Sequence, residues 1–240
     1  MDVVIVTGAS KGIGHELREQ LQAAGKRVIG IARTVPQDAT NFVPADLAKT
    51  NLLEGILTSI IDENSETATS FTLINNAGIV DPIGLVGNLN AVEIEKSIAV
   101  NLTAPIILSN TFIEKLRDVQ VPKRILNISS GAGRNPYEGW GAYCTTKAGL
   151  DHFSRVVAME QANEQYPVEI VSIAPGIIDT DMQRTIRSSD EGAFPLLDQF
   201  ITYKEQGILS SAKETAEKLF AVLEHADFKS IGPIADVRKL

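Results

Sequence analysis

The feature that most constrains the fold of this chain is the regular alternation of short β-branched runs with longer segments of helical periodicity. Such alternation is typical of successive strand–helix–strand units, in which the strands form a parallel sheet. Nearly continuous apolar strands are buried on both sides, so helices must cover both faces of the sheet. We therefore expect one α/β domain over residues 1–240, with a single doubly wound parallel sheet of the Rossmann type.

The apolar pattern predicts six strands and five helices. The predicted strands are residues 3–6, 27–32, 71–75, 124–129, 168–174 and 231–235, and the predicted helices are residues 13–24, 52–64, 91–117, 143–163 and 212–225. Residues 81–90 and 184–207 lack a clear period, and we expect them to form loops or a lid over the ligand site. In doubly wound sheets that site lies beyond the carboxyl ends of the strands.

Composition narrows the function classes. Because 44% of the 240 residues are hydrophobic and 22% are charged, we expect a packed core. The net charge of −8, with scattered lysines and arginines, disfavours nucleic acid and anionic membranes as partners. The chain contains no apolar stretch near the roughly 18 residues that span a bilayer and no signal-peptide pattern, which predicts a cytoplasmic protein. Cys144 is the only cysteine and no Cys/His cluster has zinc spacing, so neither an internal disulfide nor a structural metal is expected.

A glycine-rich loop follows the first predicted strand, with the sequence TGASKGIG over residues 7–14. Its glycines let the backbone turn tightly and approach a pyrophosphate at the N-terminus of the next helix. A glycine-rich turn of this kind can also be purely structural. We assign to the cofactor site the loop residues Gly8, Ser10, Lys11, Gly12, Ile13 and Gly14.

The end of the second predicted strand indicates which dinucleotide is bound. NAD-binding units carry an acid about 20 residues beyond the glycines, which accepts a hydrogen bond from the ribose 2'-hydroxyl. Here the position carries Arg33, whose guanidinium suits a 2'-phosphate, and Lys11 adds a second cation. Both can instead be solvated surface charges. The missing acid together with the two cations favours NADPH/NADP+ as the cofactor.

Two further segments support the cofactor site. Asp46 can accept from the adenine amino group, although an isolated Asp before a helix is often an N-cap. The segment Asn76, Ala77 and Gly78 follows the third predicted strand, where Gly78 allows the chain to pass close to the adenine ribose.

Tyr143 and Lys147 carry the predicted proton chemistry. Four residues apart at the start of a helix, they project from one face. A free phenol has a pKa of about 10, and a nearby ammonium lowers it towards the range of an efficient acid. The alternative is a half-buried tyrosine with a solvated lysine.

Ser130 and Asn101 complete the catalytic candidates. Ser130 directly follows a predicted strand, where it can hydrogen-bond a substrate carbonyl or simply cap a turn. Asn101 is a poor helix former in the middle of a long helical pattern. We expect it to open that helix locally and to hold a water that links Lys147 to solvent.

Taken in chain order with Pro175 and Gly176, these motifs resemble the short-chain dehydrogenase/reductase family over nearly the whole chain. The resemblance implies that Ser130 orients the carbonyl, Tyr143 donates the proton, Lys147 binds the nicotinamide ribose and lowers the tyrosine pKa, and Asn101 completes the relay. It also implies a homodimer formed through the long helices around Asn101 and Tyr143. Pro175, Gly176, Ile178 and Thr180 join the cofactor site by the same resemblance, with Thr180 at the carboxamide.

The segments PYEGWGAYCTTKAG, APGIIDTDMQ and DFKSIGPIAD are similar to sepiapterin reductases and benzil-reducing relatives. This narrower resemblance implies a small-molecule substrate with adjacent carbonyls, reduced at one of them to a hydroxyketone. Asp236 matches the acid that anchors the pterin in that subfamily. Trp140 is a candidate pocket residue, or it packs the start of the catalytic helix as buried aromatics commonly do.

Two rival functions remain open at this point. A ketoacyl-thioester or other alcohol dehydrogenase would carry the same four catalytic residues. An NADPH-sensing or scaffold protein would be marked by the loss of one of the four, and none is missing.

Overall fold

The computed structural model describes residues 1–35, 37 and 39–240. Its centre is a seven-stranded, fully parallel sheet with the strand order β3-β2-β1-β4-β5-β6-β7. The strands are β1 (Asp2–Thr7), β2 (Arg27–Ala32), β3 (Phe42–Pro44), β4 (Ser70–Asn75), β5 (Lys123–Ile128), β6 (Glu169–Ala174) and β7 (Ile234–Asp236). The doubly wound fold predicted from the sequence is therefore confirmed.

Helices cover both faces of the sheet, as the apolar strands require. They are α1 (Gly12–Ala23), α2 (Leu53–Asp62), α3 (Ala91–Ile98), α4 (Ala104–Lys115), α5 (Gly141–Gln161), α6 (Asp181–Arg187), α7 (Leu197–Glu205) and α8 (Ala212–Leu223). None of the helices in the described part of the chain has both the length and the apolar character needed to cross a bilayer.

Strand β1 shows how the sequence builds the two cores. Val3 and Ile5 belong to the core beneath α2, α4 and α5, whereas Val4 and Val6 belong to the core beneath α1 and α8. Successive side chains of a strand point to opposite faces, so an unbroken apolar run fills both layers. The sheet is thereby fixed as the rigid base of the site.

The helical pattern over residues 91–117 is interrupted where Asn101 lies. A single π-helical turn, Ala99–Thr103, separates α3 from α4. The prediction that Asn101 opens this helix locally is confirmed. One-turn π segments inside α-helices are frequent at functional sites.

Three predictions of secondary structure were wrong. Strand β3 was missed because it has only three residues and pairs with β2 alone, at the edge of the sheet. The last strand was placed too early: residues 228–231 form a 3-10 turn, and β7 follows it. Residues 184–207 are not irregular, because they contain most of α6 and all of α7.

Candidate active site

A cavity of about 850 Å³ opens at the carboxyl ends of the central strands. It runs from Arg33, after β2, past the glycine loop to Tyr143 and Lys147, and it is covered by residues of α6 and α7. Every residue predicted for the cofactor, catalytic or substrate sites lines it except three, Gly14, Asn101 and Asp236, which lie behind the lining formed by the described residues.

Gly8, Gly12 and Gly14 have different structural roles in the glycine loop. A Cβ on Gly8 would lie 2.9 Å from the Ala77 Cα, and one on Gly14 would lie 2.4 Å from the Gly8 carbonyl oxygen. Both glycines therefore permit close packing. On Gly12 (φ +58°) the nearest atom to a Cβ is the Thr180 Cγ2 at 3.7 Å, so this glycine keeps the cavity open. The assignment of Gly14 as a direct cofactor contact is not supported, because its open side is filled by protein.

Asn76 and Thr7 hold the glycine loop against β4. Asn76 Nδ2 donates to the Thr7 carbonyl at 2.9 Å and reaches the Gly8 carbonyl at 3.3 Å. In return, Thr7 Oγ1 accepts from the backbone N–H groups of Asn76 and Ala77 at 3.0 and 3.1 Å. The two segments are thus one hydrogen-bonded unit.

The N-terminus of α1 faces the cavity with its first N–H groups free of side-chain caps. Lys11 occupies the cap position without a capping bond, and the first turn carries no acid among the described residues. Uncapped N–H groups and the helix dipole favour an anion at this point.

The charged residues at this end of the cavity have mixed roles. Arg33 is exposed and lines the cavity. Asp46 also lines it, and its Oδ1 accepts from the Ala48 N–H at 3.1 Å within a turn. It is not a helix N-cap, because Lys49 and Leu52 hold the cap positions of the helical segments that follow. Lys11 forms an ion pair with Asp181 of α6 at 3.0 Å, which spans the cavity mouth and was not predicted.

Helix α5 places Tyr143 and Lys147 on one buried face. Their exposed fractions are 6% and 4%. Lys147 Nζ lies 5.8 Å from the centre of the Tyr143 ring and donates to the Ile128 carbonyl at 2.8 Å. This pairing at the end of β5 rules out the alternative of a solvated lysine.

The pKa of the phenol differs from the prediction. Burial raises the pKa of Tyr143 to about 12, and the Ser130 hydroxyl opposes this rise by hydrogen bonding. The pKa is therefore raised where the sequence predicted it to be lowered, because loss of water around the buried phenol is the largest effect on it. Burial likewise lowers the pKa of Lys147 to about 8, against the effect of the Asp151 carboxylate.

Ser130 combines its two predicted roles. Its Oγ accepts from the Ala132 N–H at 3.1 Å and caps the 3-10 turn Gly131–Gly133. The same hydroxyl lines the cavity beside Tyr143. The cap fixes the position of the hydroxyl, and its proton stays free to be donated.

Asn101 lies behind the cavity and clamps the backbone of Ile79. Its Oδ1 accepts from the Ile79 N–H at 2.9 Å, and its Nδ2 donates to the Ile79 carbonyl at 2.7 Å. A Cβ on Gly78 would lie 3.4 Å from Asn101 Oδ1 and 3.7 Å from Lys147 Nζ. Asn101 therefore positions the segment that borders the lysine, and its side chain does not line the cavity itself.

An aromatic cluster forms part of the cavity wall beside Tyr143. Trp140 stacks on Phe194 at 5.0 Å between ring centres and meets Tyr143 edge-on at 5.5 Å. Phe200 of α7 packs 5.1 Å from Trp140 and lines the cavity with Tyr203. Trp140 is thus both a lining residue and a packing residue. The aromatic pair Phe200 and Tyr203, three residues apart, is the sequence signal that could have indicated α7.

Asp236, the C-terminal acid, does not line the substrate cavity of the described residues as the resemblance to sepiapterin reductases implied. Both carboxylate oxygens of Asp236 pair with the Arg238 guanidinium, at 2.9 and 2.6 Å. Asp236 lies outside the cavity lining of the described residues, and Arg238 lies in it. Arg238 carried no motif, so the sequence offered no signal for it.

Comparison with known proteins places these features in a family. A family model described as short chain dehydrogenase matches residues 2–191. Benzil reductase ((S)-benzoin forming) from Bacillus cereus is 40% identical over 239 residues, covering 95% of this chain and 96% of that protein. Sepiapterin reductase from Meriones unguiculatus is 30% identical over 249 residues, covering 95% and 93%.

Solved structures give the same result for the fold. The crystal structure of the KRED1-Pglu enzyme matches with a TM-score of 0.84 at 25% identity, covering 98% of this chain and 100% of that one. A structure from Beutenbergia cavernae with bound NADP matches with a TM-score of 0.80 at 23% identity, covering 98% and 94%. At that identity the second likeness concerns the fold alone.

Proposed function

The chain belongs to the short-chain dehydrogenase family of oxidoreductases, and we propose that it is an NADPH-dependent reductase acting on one carbonyl of a vicinal diketone or a sepiapterin-like substrate. Residues 1–240 would form a single catalytic domain. The observation that carries the proposal is the meeting of Ser130, Tyr143 and Lys147 in one cavity with the glycine loop. The coarser statement, a carbonyl reductase of this family, is supported by the benzil reductase relatives.

The cavity fits a dinucleotide. The open face of Gly12 and the uncapped start of α1 suit a pyrophosphate. Gly78 leaves room for a ribose beside Lys147 Nζ, which keeps donors beyond its bond to the Ile128 carbonyl. The residues that would hold the cofactor are Gly8, Ser10, Lys11, Gly12, Ile13, Arg33, Asp46, Asn76, Ala77, Gly78, Tyr143, Lys147, Pro175, Gly176, Ile178 and Thr180.

Selectivity for NADPH would come from Arg33. Its exposed guanidinium lines the far end of the cavity, at the position where an NAD-binding unit carries an acid. A guanidinium grips a phosphate with two charge-assisted hydrogen bonds. A 2'-phosphate would also compete with Asp181 for Lys11, whose ion pair with that residue is exposed and weak.

The protonation state of Tyr143 suits reduction. At neutral pH a phenol with a pKa of about 12 is fully protonated and holds the proton that a reduction needs. When bound, NADPH would supply the hydride for the carbonyl carbon. As the carbonyl π bond breaks, the oxygen becomes an alkoxide, a stronger base than phenolate, and takes the proton from the Tyr143 hydroxyl.

The other members of the set would stabilise this transfer. Ser130 Oγ, held by its cap on the 3-10 turn, would donate to the carbonyl oxygen where negative charge develops. The Lys147 ammonium would stabilise the phenolate that Tyr143 becomes and would bind the nicotinamide ribose. Asn101 would act as a positioning residue through Ile79 and, with a bound water, complete the proton path from Lys147 to solvent.

We also propose that the chain assembles as a homodimer. A homodimer through α4 and α5 is supported by a cleft that residues of both helices line and by exposed Met159 and Val156 on α5. A cytoplasmic location and the exclusion of nucleic acid, membrane and metal stay predictions from the sequence.

The substrate class is tested by NADPH absorbance with benzil, sepiapterin and an acetoacetyl thioester, each repeated with NADH. We expect rapid oxidation of NADPH with the first two and slow oxidation with the thioester. A reversed order would favour the ketoacyl-thioester alternative. NADPH binding without turnover on any carbonyl compound would favour a sensing or scaffold protein.

A further inference from the structure

The C-terminal segment brings an ion pair to the edge of the active-site cavity. Residues Val237–Lys239 form a 3-10 turn directly after β7. Asp236 is the cap residue of this turn. Its Oδ1 accepts from the backbone N–H and the Nε of Arg238 at 3.0 and 2.9 Å, and its Oδ2 accepts from Nη2 at 2.6 Å. Both oxygens of this carboxylate are engaged within the protein, which leaves Asp236 poorly suited to anchor a substrate.

Arg238 lies on the cavity side of the pair. Its Cγ and Cδ would be 3.7 and 3.6 Å from a Cβ on Gly176, so the arginine stem lies directly beside this glycine. Gly176 follows β6 and lines the cavity among the residues proposed to hold the cofactor. The guanidinium is close enough to Tyr137 to be influenced by it, and Tyr137 packs on Trp140. Arg238 thus borders the same space as Tyr143.

The ion pair leaves one edge of the guanidinium available. Nε and Nη2 face the carboxylate, and among the residues that the structure describes no acceptor pairs with Nη1. The side chain is 57% exposed. A planar guanidinium held along one edge presents the opposite edge in a fixed direction, with little rotamer entropy left to lose on binding.

We propose that Arg238, oriented by Asp236, is a specificity-determining residue that donates from its free edge to a second carbonyl oxygen of the substrate. The inference rests on the proposed function and names the group that would distinguish a vicinal diketone from a simple ketone. Asp236 balances the charge of the guanidinium, so a substrate carboxylate at this point would face a neighbouring anion. A neutral carbonyl oxygen meets no such repulsion.

This assignment changes the role of Asp236 from an anchor of the substrate to a positioning residue. The two roles predict opposite results. If Asp236 binds the substrate directly, removing Arg238 would free its carboxylate and leave or improve binding. If Arg238 binds the substrate, its removal weakens binding, and removal of Asp236 weakens binding only as far as the arginine loses its orientation.

The test compares benzil with deoxybenzoin, which has the same skeleton but lacks the second carbonyl oxygen. The variants are Arg238→Met, which keeps the aliphatic stem but removes the donors, and Asp236→Asn. Lys239→Met is the matched control, since Lys239 is the adjacent exposed cation and does not line the cavity among the described residues. The readout is the ratio of kcat/KM for benzil to that for deoxybenzoin.

We expect Arg238→Met to lower this ratio about tenfold, the usual effect of losing a hydrogen bond from a charged donor, mainly through KM. Asp236→Asn should lower the ratio less, and the double variant no more than Arg238→Met alone. Lys239→Met should match the parent. A loss of selectivity in Asp236→Asn with none in Arg238→Met would overturn the proposal.

Direct binding separates this inference from the proposed function. Trp140 is the only tryptophan of the chain and lines the cavity, so its fluorescence reports benzil binding without turnover. If the protein binds benzil without reducing it, and Arg238→Met weakens that binding, the reductase proposal fails while the role of Arg238 stands. If turnover is normal and Arg238→Met changes neither binding nor selectivity, the role of Arg238 fails while the reductase proposal stands.

Discussion

Replacing Gly14 with alanine tests whether the glycine loop is shaped by tight packing. Gly14 lies in the first turn of α1, where alanine would favour the helix by up to about 1 kcal/mol over glycine. A Cβ there would lie 2.4 Å from both the Gly8 carbonyl oxygen and Asn76 Nδ2. The oxygen belongs to the backbone and cannot swing away, and Asn76 is held by its own bond to the Thr7 carbonyl.

Relieving this clash requires the loop to shift. Overpacking of this kind costs roughly 1–3 kcal/mol, which exceeds the gain in helix propensity. We expect Gly14→Ala to lower the free energy of unfolding by about 1–2 kcal/mol and the melting temperature by about 2–8 °C. Because the displaced loop includes the open face at Gly12, the affinity for NADPH should fall as well.

Gly55 provides the matched control. It also lies near the start of a helix, α2, but no described atom lies within 4 Å of where its Cβ would be. Gly55→Ala should therefore stabilise the protein by about 0.5–1 kcal/mol with NADPH binding unchanged. Thermal unfolding and calorimetric titration with NADPH would be measured for both variants. The reasoning is refuted if Gly14→Ala is as stable as Gly55→Ala and binds NADPH like the parent.

Three further predictions concern the chemistry of the site. Tyr143→Phe should lower kcat by roughly 10²–10⁴-fold with NADPH binding retained, because the general acid is lost; turnover near the parental rate would remove Tyr143 from the mechanism. Arg33→Asp should shift the ratio of kcat/KM for NADPH over NADH by about tenfold or more towards NADH, and an unchanged ratio would count against Arg33 as the selector. Lys147→Met should abolish turnover yet stabilise the fold at pH 7. Burial lowers the pKa of Lys147 from 10.5 to about 8, so the unfolded chain holds this proton more tightly and the buried charge costs about 3 kcal/mol below pH 8. Loss of the Lys147 bond to the Ile128 carbonyl offsets about 1–2 kcal/mol of this cost. The net stabilisation of Lys147→Met should fade as the pH rises from 8 towards 10.5. Urea unfolding that shows no stabilisation at pH 7 would contradict a buried charge as its cause.

Most of the fold could be predicted because its signals are local. Apolar runs such as residues 3–6 mark strands buried on both faces, and this property depends on side-chain alternation within the run itself. Strand β3 could not be predicted in this way, since three residues are too few to show a period. The helices over residues 184–207 were missed for a related reason, because α6 and α7 are short and are separated by turns.

In the candidate site, too, some features have a local sequence signal and others do not. Residue type and spacing were enough to select Ser130, Tyr143 and Lys147, because four-residue spacing on a helix and the end of a strand are sequence properties. The pKa of Tyr143 was not within reach of the sequence. The direction of its shift depends on burial in a cluster that also contains Phe194 and Phe200, which lie far from Tyr143 in the chain.

By itself, the sequence determined the doubly wound sheet and which side chains carry chemistry, since both follow from patterns within short segments. Only the tertiary structure decided which of these side chains face the cavity. Asn101 turns to the backbone of Ile79, 22 residues away in the chain, rather than to the cavity. A polar side chain that leaves water must find a hydrogen-bond partner, and the partner that is within reach is set by how remote segments pack.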